Sequence, residues 1–208
     1  MDKNQEHLNN LSEIRSLMEK SSTFISLSGL SGISAGIIGL ASAAYVYMKF
    51  EALFSSSRSY TSEPYVKSDT ITSLILIAVL VLVLTFASTI FFTTRKAKKK
   101  ELPVWNNSAK RLVGNLFIPL ASGGVFCLIL LYHGIYTLIA PSMLLFYGLA
   151  LLNASKYTLN DIKFLGISEL ILGLLAAYWF QFGLLFWAAG FGLLNIIYGA
   201  VMYFKYER

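Results

Sequence analysis

The chain has 208 residues, of which 56% are hydrophobic, 13% are charged and one is a cysteine, and its formal net charge is +6. Soluble domains are about one quarter charged; here the charges cluster and leave long runs with none, which excludes a large water-soluble core and points to membrane-spanning helices. The lone cysteine, Cys127, excludes an intrachain disulfide and a cysteine-rich zinc site.

Residues 1–22 are polar, with Leu8, Leu11, Ile14, Leu17 and Met18 spaced three to four apart. That spacing predicts a short amphipathic helix on the cytoplasmic surface of the membrane, as an anchor for the first span or as a docking element for a partner. The first apolar run is longer than a signal-peptide core, so no cleaved signal is expected. Residues 23–208 then read as one transmembrane domain.

Span one covers residues 23–49. Gly29, Gly32, Gly36 and Gly39 recur along it and make a stripe without side chains, the pattern through which helices approach closely in lipid. Residues 50–69, with Pro64 and the serines 55–57, read as a loop. Span two, 70–94, is Leu-, Ile- and Val-rich with almost no small residues, and is expected to be the most lipid-exposed.

Residues 95–111 hold Arg95, Lys96, Lys98, Lys99, Lys100, Lys110 and Arg111 against Glu101, a surplus of six that equals the net charge of the whole chain. The positive-inside rule places this stretch in the cytoplasm, where it also attracts anionic lipid at about 1 kcal/mol per basic residue. Trp105 is its one stacking side chain, so nucleic acid is not expected as a partner.

Span three runs from about 112 to 132, with a kink expected at Pro119. Tyr132-His133-Gly134 forms a tight outer turn into span four, about 135–153. The connection to Lys163 is short and basic, and Thr158 is expected to N-cap the next helix with Asp161 in the capping-box position. Span five, 162–180, ends in the aromatic stretch 178–182, which marks the outer interface. Span six covers 183–204. The expectation is an all-α integral membrane protein of six transmembrane helices with both termini cytoplasmic.

Gly32-Ile33-Ser34 and Gly166-Ile167-Ser168 align, followed by Gly39 with Gly173 and Ala43 with Ala177. This internal match suggests three tandem hairpins, spans 1–2, 3–4 and 5–6, an arrangement that transporters use with sites at repeat interfaces.

Glu169 is the acid deepest within an apolar segment, and such a group costs on the order of 2–3 kcal/mol unless it is paired, protonated or wetted. It shares a stripe with Gly166 and Gly173; span six offers a matching stripe of Gly192, Asn195 and Gly199. At 1.5 Å per residue Glu169 lies about 9 Å beyond Lys163, and Asn195 about 15 Å before Lys205, depths at which the two polar groups could meet directly or through water. Asn115 and Ser34 are candidates to join them. Glu169 then either pins helix register or binds a proton, cation or amine. No nucleophile, phosphate or metal motif is present, and His7 and His133 fall on opposite sides of the membrane, so no catalytic site, metal or cofactor is expected. The candidate functions are transport or sensing of a small solute or ion around Glu169, or a non-transporting scaffold that docks a partner through the N-terminal helix and the 95–111 stretch. A homo-oligomer fits either.

The segments 13–20 and 24–32, together with Leu152-Asn-Ala-Ser-Lys-Tyr-Thr158 and Gly166-Ile-Ser-Glu169, resemble small six-span inner-membrane proteins of bacteria. The resemblance implies the bacterial inner membrane as location and brings no activity, substrate or site residue with it.

Overall fold

The structure, a computed structural model, describes residues 28–49, 68–99, 105 and 107–208. The expected amphipathic segment 1–22, the loop after span one, Lys100 and Glu101 lie outside the described residues. Every described element is helical. Helix α1 is Gly29–Lys49, α2 Ser68–Lys99, α3 Asn107–Tyr132, α4 Ile139–Ala154 and α5 Asp161–Tyr178. The last helix is continuous but uneven: α6, Gly183–Trp187, passes through a π-helical segment, Ala188–Leu194, into α7, Asn195–Tyr206.

Five stretches are long and apolar enough to cross a membrane: Gly29–Lys49, Asp69–Lys99, Asn107–Tyr132, Tyr136–Tyr157 and Phe180–Tyr206. Helix α5 is not among them. It has 18 residues and carries Asp161, Lys163 and Glu169, so composition alone does not make it a span.

The helices form an open arc in the order α2, α1, last helix, α5, α4, α3, with the last helix also touching α4. The most extensive pairing is α4 with α5, and α5 packs more extensively on α4 than on the last helix, across the hairpin boundary drawn from the internal match. The two matched segments accordingly meet different partners. A Cβ on Gly32 would lie 3.0 Å from the Gly199 Cα, whereas one on Gly166 would lie 2.9 Å from the Gly148 carbonyl oxygen. Gly29, Gly36 and Gly39 likewise lie against the backbone of Gly199, Gly192 and Phe191. The glycine stripe of α1 is thus a seam along the last helix, where backbones touch with no side chain between them.

Helix α2 is at the end of the arc, and its most apolar window has no buried residue. It extends past the apolar segment to Lys99, so the basic residues 95–99 continue a helix instead of opening a loop. Its 32 residues span about 48 Å, well beyond a hydrocarbon core of about 30 Å. Lys and Arg are good helix formers, and cations suit a helix C-terminus. Pro119 lies within the continuous α3. At the α3–α4 turn Gly134 takes φ 74°, and the Ile135 N–H donates to the Leu130 carbonyl at 2.9 Å, which closes the helix end as a left-handed cap.

Helix α5 starts differently from the expected capping box. Its N-cap residue is Asn160, with no side-chain cap bond. Asp161 turns instead to the end of the last helix, accepting from the Tyr206 hydroxyl at 2.7 Å and from Lys205 Nζ at 3.2 Å.

Candidate functional site

Glu169 is on the buried face of α5 and is 0% exposed. Neither carboxyl oxygen has a hydrogen-bond partner among the described residues. Its nearest ceiling is the π-helical segment. A Cβ on Gly190 would come within 2.5 Å of Glu169 Oε2 and 3.2 Å of Leu172 Cδ2, and would collide with Leu144. Glycine at 190 is therefore what leaves room for the carboxyl group. Leu144 and Pro141 of α4 are as fully buried as Glu169.

Asn195 is also buried, one turn of wide helix beyond Gly190. Its side-chain amide donates to the carbonyls of Gly190 at 3.2 Å and Phe191 at 3.3 Å, and its oxygen accepts from the Tyr147 hydroxyl at 3.0 Å. The amide thus holds the carbonyls of the segment that covers Glu169, as polar side chains do where a helix departs from its regular ladder. Tyr147 stacks on Phe191 with ring centroids 4.9 Å apart, and Trp187 lies against the other side of Phe191 at 5.1 Å. Glu169, Gly190, Asn195 and Tyr147 make one buried cluster, framed by aromatic rings and leucines.

The expected stripes do not face each other. Gly166 and Gly173 of α5 pack on Gly148 and Leu145 of α4, and Gly192 and Gly199 pack on α1. Gly190, within the π-helical segment and outside the expected stripe, is the residue that meets Glu169. Asn195 reaches the site through its bonds to Gly190 and Phe191 and not through a bond to Glu169.

Asn115 and Ser34 are elsewhere. Asn115 donates to the Arg111 carbonyl at 2.8 Å, and its own carbonyl accepts from Asn153 at 2.9 Å, which ties α3 to α4. Ser34 meets Ser88 of α2 at 3.1 Å. Both bind helix pairs away from Glu169. An open, mostly apolar groove of about 480 Å³ runs between α3 and α4, and Glu169 is not among its lining residues.

A second polar cluster, not anticipated from the sequence, closes the basic end of the bundle. Glu207 accepts from the Gly29 N–H at 2.5 Å and from the Ser28 hydroxyl at 3.2 and 3.3 Å, and pairs with Lys96 at 3.3 Å. One carboxylate thereby caps the first turn of α1 and joins it to α2 and to the chain's last residues, a favourable place for an anion. Lys96 is buried, while Arg95, Lys98 and Lys99 beside it are exposed, as is Arg111. Lys110 is exposed as well.

Among the described residues no group of three His, Cys, Asp or Glu side chains converges on a metal position. Comparison of the chain with protein-family models, curated proteins and solved structures finds no match in any of the three.

Proposed function

We propose that the chain is a six-span protein of a bacterial inner membrane that moves or senses a small solute or ion at the cluster around Glu169. The observation that carries this reading is a carboxyl group with no exposed surface and no hydrogen-bond partner among the described residues, covered by a π-helical segment. Acids at membrane depth are costly and concentrate where protons and ions are handled. π-Helical turns concentrate at functional sites. The sixth span in this reading is α5: opposite its buried face it exposes Phe164, Ile167, Ile171 and Leu174, an apolar surface suited to lipid.

The cluster is sealed in this conformation, so the reading takes the form of sensing, or of transport by alternating exposure, and not of an open pore. The test is the thermal stability of the purified protein in detergent across pH, with monovalent cations and amines added, for the parent and for Glu169→Gln. A shift with pH or ligand that the variant lacks supports the reading. Identical behaviour of the two makes Glu169 a structural pin.

The scaffold reading draws on a separate observation. Arg95, Lys98 and Lys99 are exposed on a helix that projects beyond the apolar window, while Lys96 is held by Glu207. Neutralising those three exposed residues would release a bound partner, or anionic vesicles, if this surface docks one.

A further inference from the structure

We infer that the ligand of the Glu169 site is a proton and that the Gly190 segment is the cover that holds it in. This rests on the reading of Glu169 as a working site and names its substrate class.

The side of the site that faces Gly190 has room for nothing larger. The position a Cβ would take on Gly190 is already within 2.5 Å of Glu169 Oε2 and within 3.2 Å of Leu172. Leu144 closes the same space. A metal cation needs several oxygens around it at about 2.0–2.6 Å. Here the neighbours are leucine methyls and a glycine Cα, and the nearby Asn195 oxygen already accepts from Tyr147. An ammonium group carries three donors and needs acceptors for them; apart from Glu169, the side-chain oxygens of the cluster are those already joined in the Tyr147–Asn195 bond.

A bare carboxylate in this position would lack every donor it needs, and a buried, unpaired charge is heavily penalised. A single O–H bond on one carboxyl oxygen removes that charge. Release breaks the bond, leaves the electron pair on the oxygen and passes the proton to water. The resulting carboxylate needs water or donors that the closed site does not supply. Release therefore requires the cover to move, and the cover is a strand of wide helix held by the Asn195 amide and, through it, by Tyr147.

No other charge stands close enough in the sequence pattern to take over this role. Of the elements packed on α5, α4 contributes Tyr147 as its one titratable group, and α6 and the π-helical segment contribute none. α7 brings Tyr198, Tyr203, Tyr206 and Lys205, the last paired with Asp161, and the short turn before α5 brings Lys156 and Tyr157. Tyr178 and Lys163 are on α5 itself, at its two ends.

Infrared difference spectroscopy of the full-length protein in liposomes, titrated from acid to alkaline pH, tests the inference through the carbonyl stretch of a protonated carboxyl group. The expected result is a band that is lost reversibly on alkalinisation, is absent in Glu169→Gln, and has a midpoint unmoved by sodium, potassium or methylammonium. A midpoint displaced by one of those cations overturns the proton inference and leaves Glu169 standing as a cation site. A Glu169 carboxyl with no protonated band at any pH also overturns it. A band that never titrates overturns both the inference and the reading of Glu169 as a working site. Gly190→Ala places a methyl within 2.5 Å of Oε2 and is expected to shift the band; an unshifted band would remove Gly190 from the cover.

Discussion

Three carboxylates show how one residue type is put to different uses by its surroundings. Glu169 is sealed without partners, Glu207 is capped and paired, and Asp161 is a hinge pin between α5 and the last helix. Burial alone raises the Asp161 carboxyl, but hydrogen bonds from Tyr206 and Lys205 outweigh it and hold the group below the ordinary carboxylate range. A depressed value in the folded state means that its stabilising contribution is complete above the ordinary aspartate value of about 4 and is lost as pH falls through the lower folded value. The melting temperature in detergent should therefore decline on acidification below that point, and Asp161→Asn should reduce the decline. Glu207→Gln weakens the acceptor for the Gly29 N–H and the Ser28 hydroxyl and removes the charge that pairs with Lys96, and is expected to cost about 1–3 kcal/mol, read as a fall in melting temperature. Glu169 was legible from sequence because one acid in an apolar run stands out by itself. Glu207 was not: its partners, Ser28, Gly29 and Lys96, are more than a hundred residues away along the chain, and a terminal glutamate has no local signature. Tyr147 and Gly190 were missed for the same reason, since each acquires its role only from a neighbour on another helix.

Elements carry the next level of specification. The glycine repeat of α1 announced a packing seam, and the seam lies where such a repeat is useful, against the backbone of the last helix. The partner helix was the part that periodicity alone could not identify, because a stripe of small residues suits close approach to any helix backbone. Gly29→Ala and Gly199→Ala force a methyl onto backbone atoms that have nowhere to go, and each is expected to destabilise the protein by about 1–3 kcal/mol. Gly114→Ala and Gly124→Ala meet nothing within 4 Å and should be neutral or gain up to about 1 kcal/mol from helix propensity. Thermal melts of these four variants separate close approach from mere flexibility. At the π-helical segment, Tyr147→Phe removes one hydroxyl and should cost about 1 kcal/mol, whereas Asn195→Ala strips the amide from two carbonyls and from Tyr147 and should cost about 1–3 kcal/mol.

At the scale of the whole molecule, the helical class follows from hydropathy, and five of the stretches meet the length and composition of a span. The remaining one, α5, is ambiguous for a physical reason: the acid that makes it interesting is also what lowers its apolar character. Counting decides where the chain ends. With α5 in the membrane, residues 28 and 208 lie on one side; with α5 outside it, they lie on opposite sides. Single cysteines at the exposed Lys99, which lies on the same side as residue 28, and at the exposed Arg208, in a Cys127→Ser background, should be modified by a membrane-impermeant thiol reagent from the same side of sealed vesicles. Labelling from opposite sides would reduce the fold to five spans. The hairpin repeat was less legible, because glycine-rich segments match each other in sequence while packing on unlike partners.

The seam between α1 and the last helix also sets a schedule for biosynthesis. The glycine face of α1 emerges early, and its partner is made only after more than 130 further residues have been added. At ordinary rates of about 5–20 residues per second, α1 waits on the order of ten seconds in the bilayer with its narrowest face uncovered. Its capping carboxylate, Glu207, arrives later still. The seam is thus closed by a helix made long after α1, and a chain interrupted within that helix would leave both α1 and the cover of Glu169 incomplete.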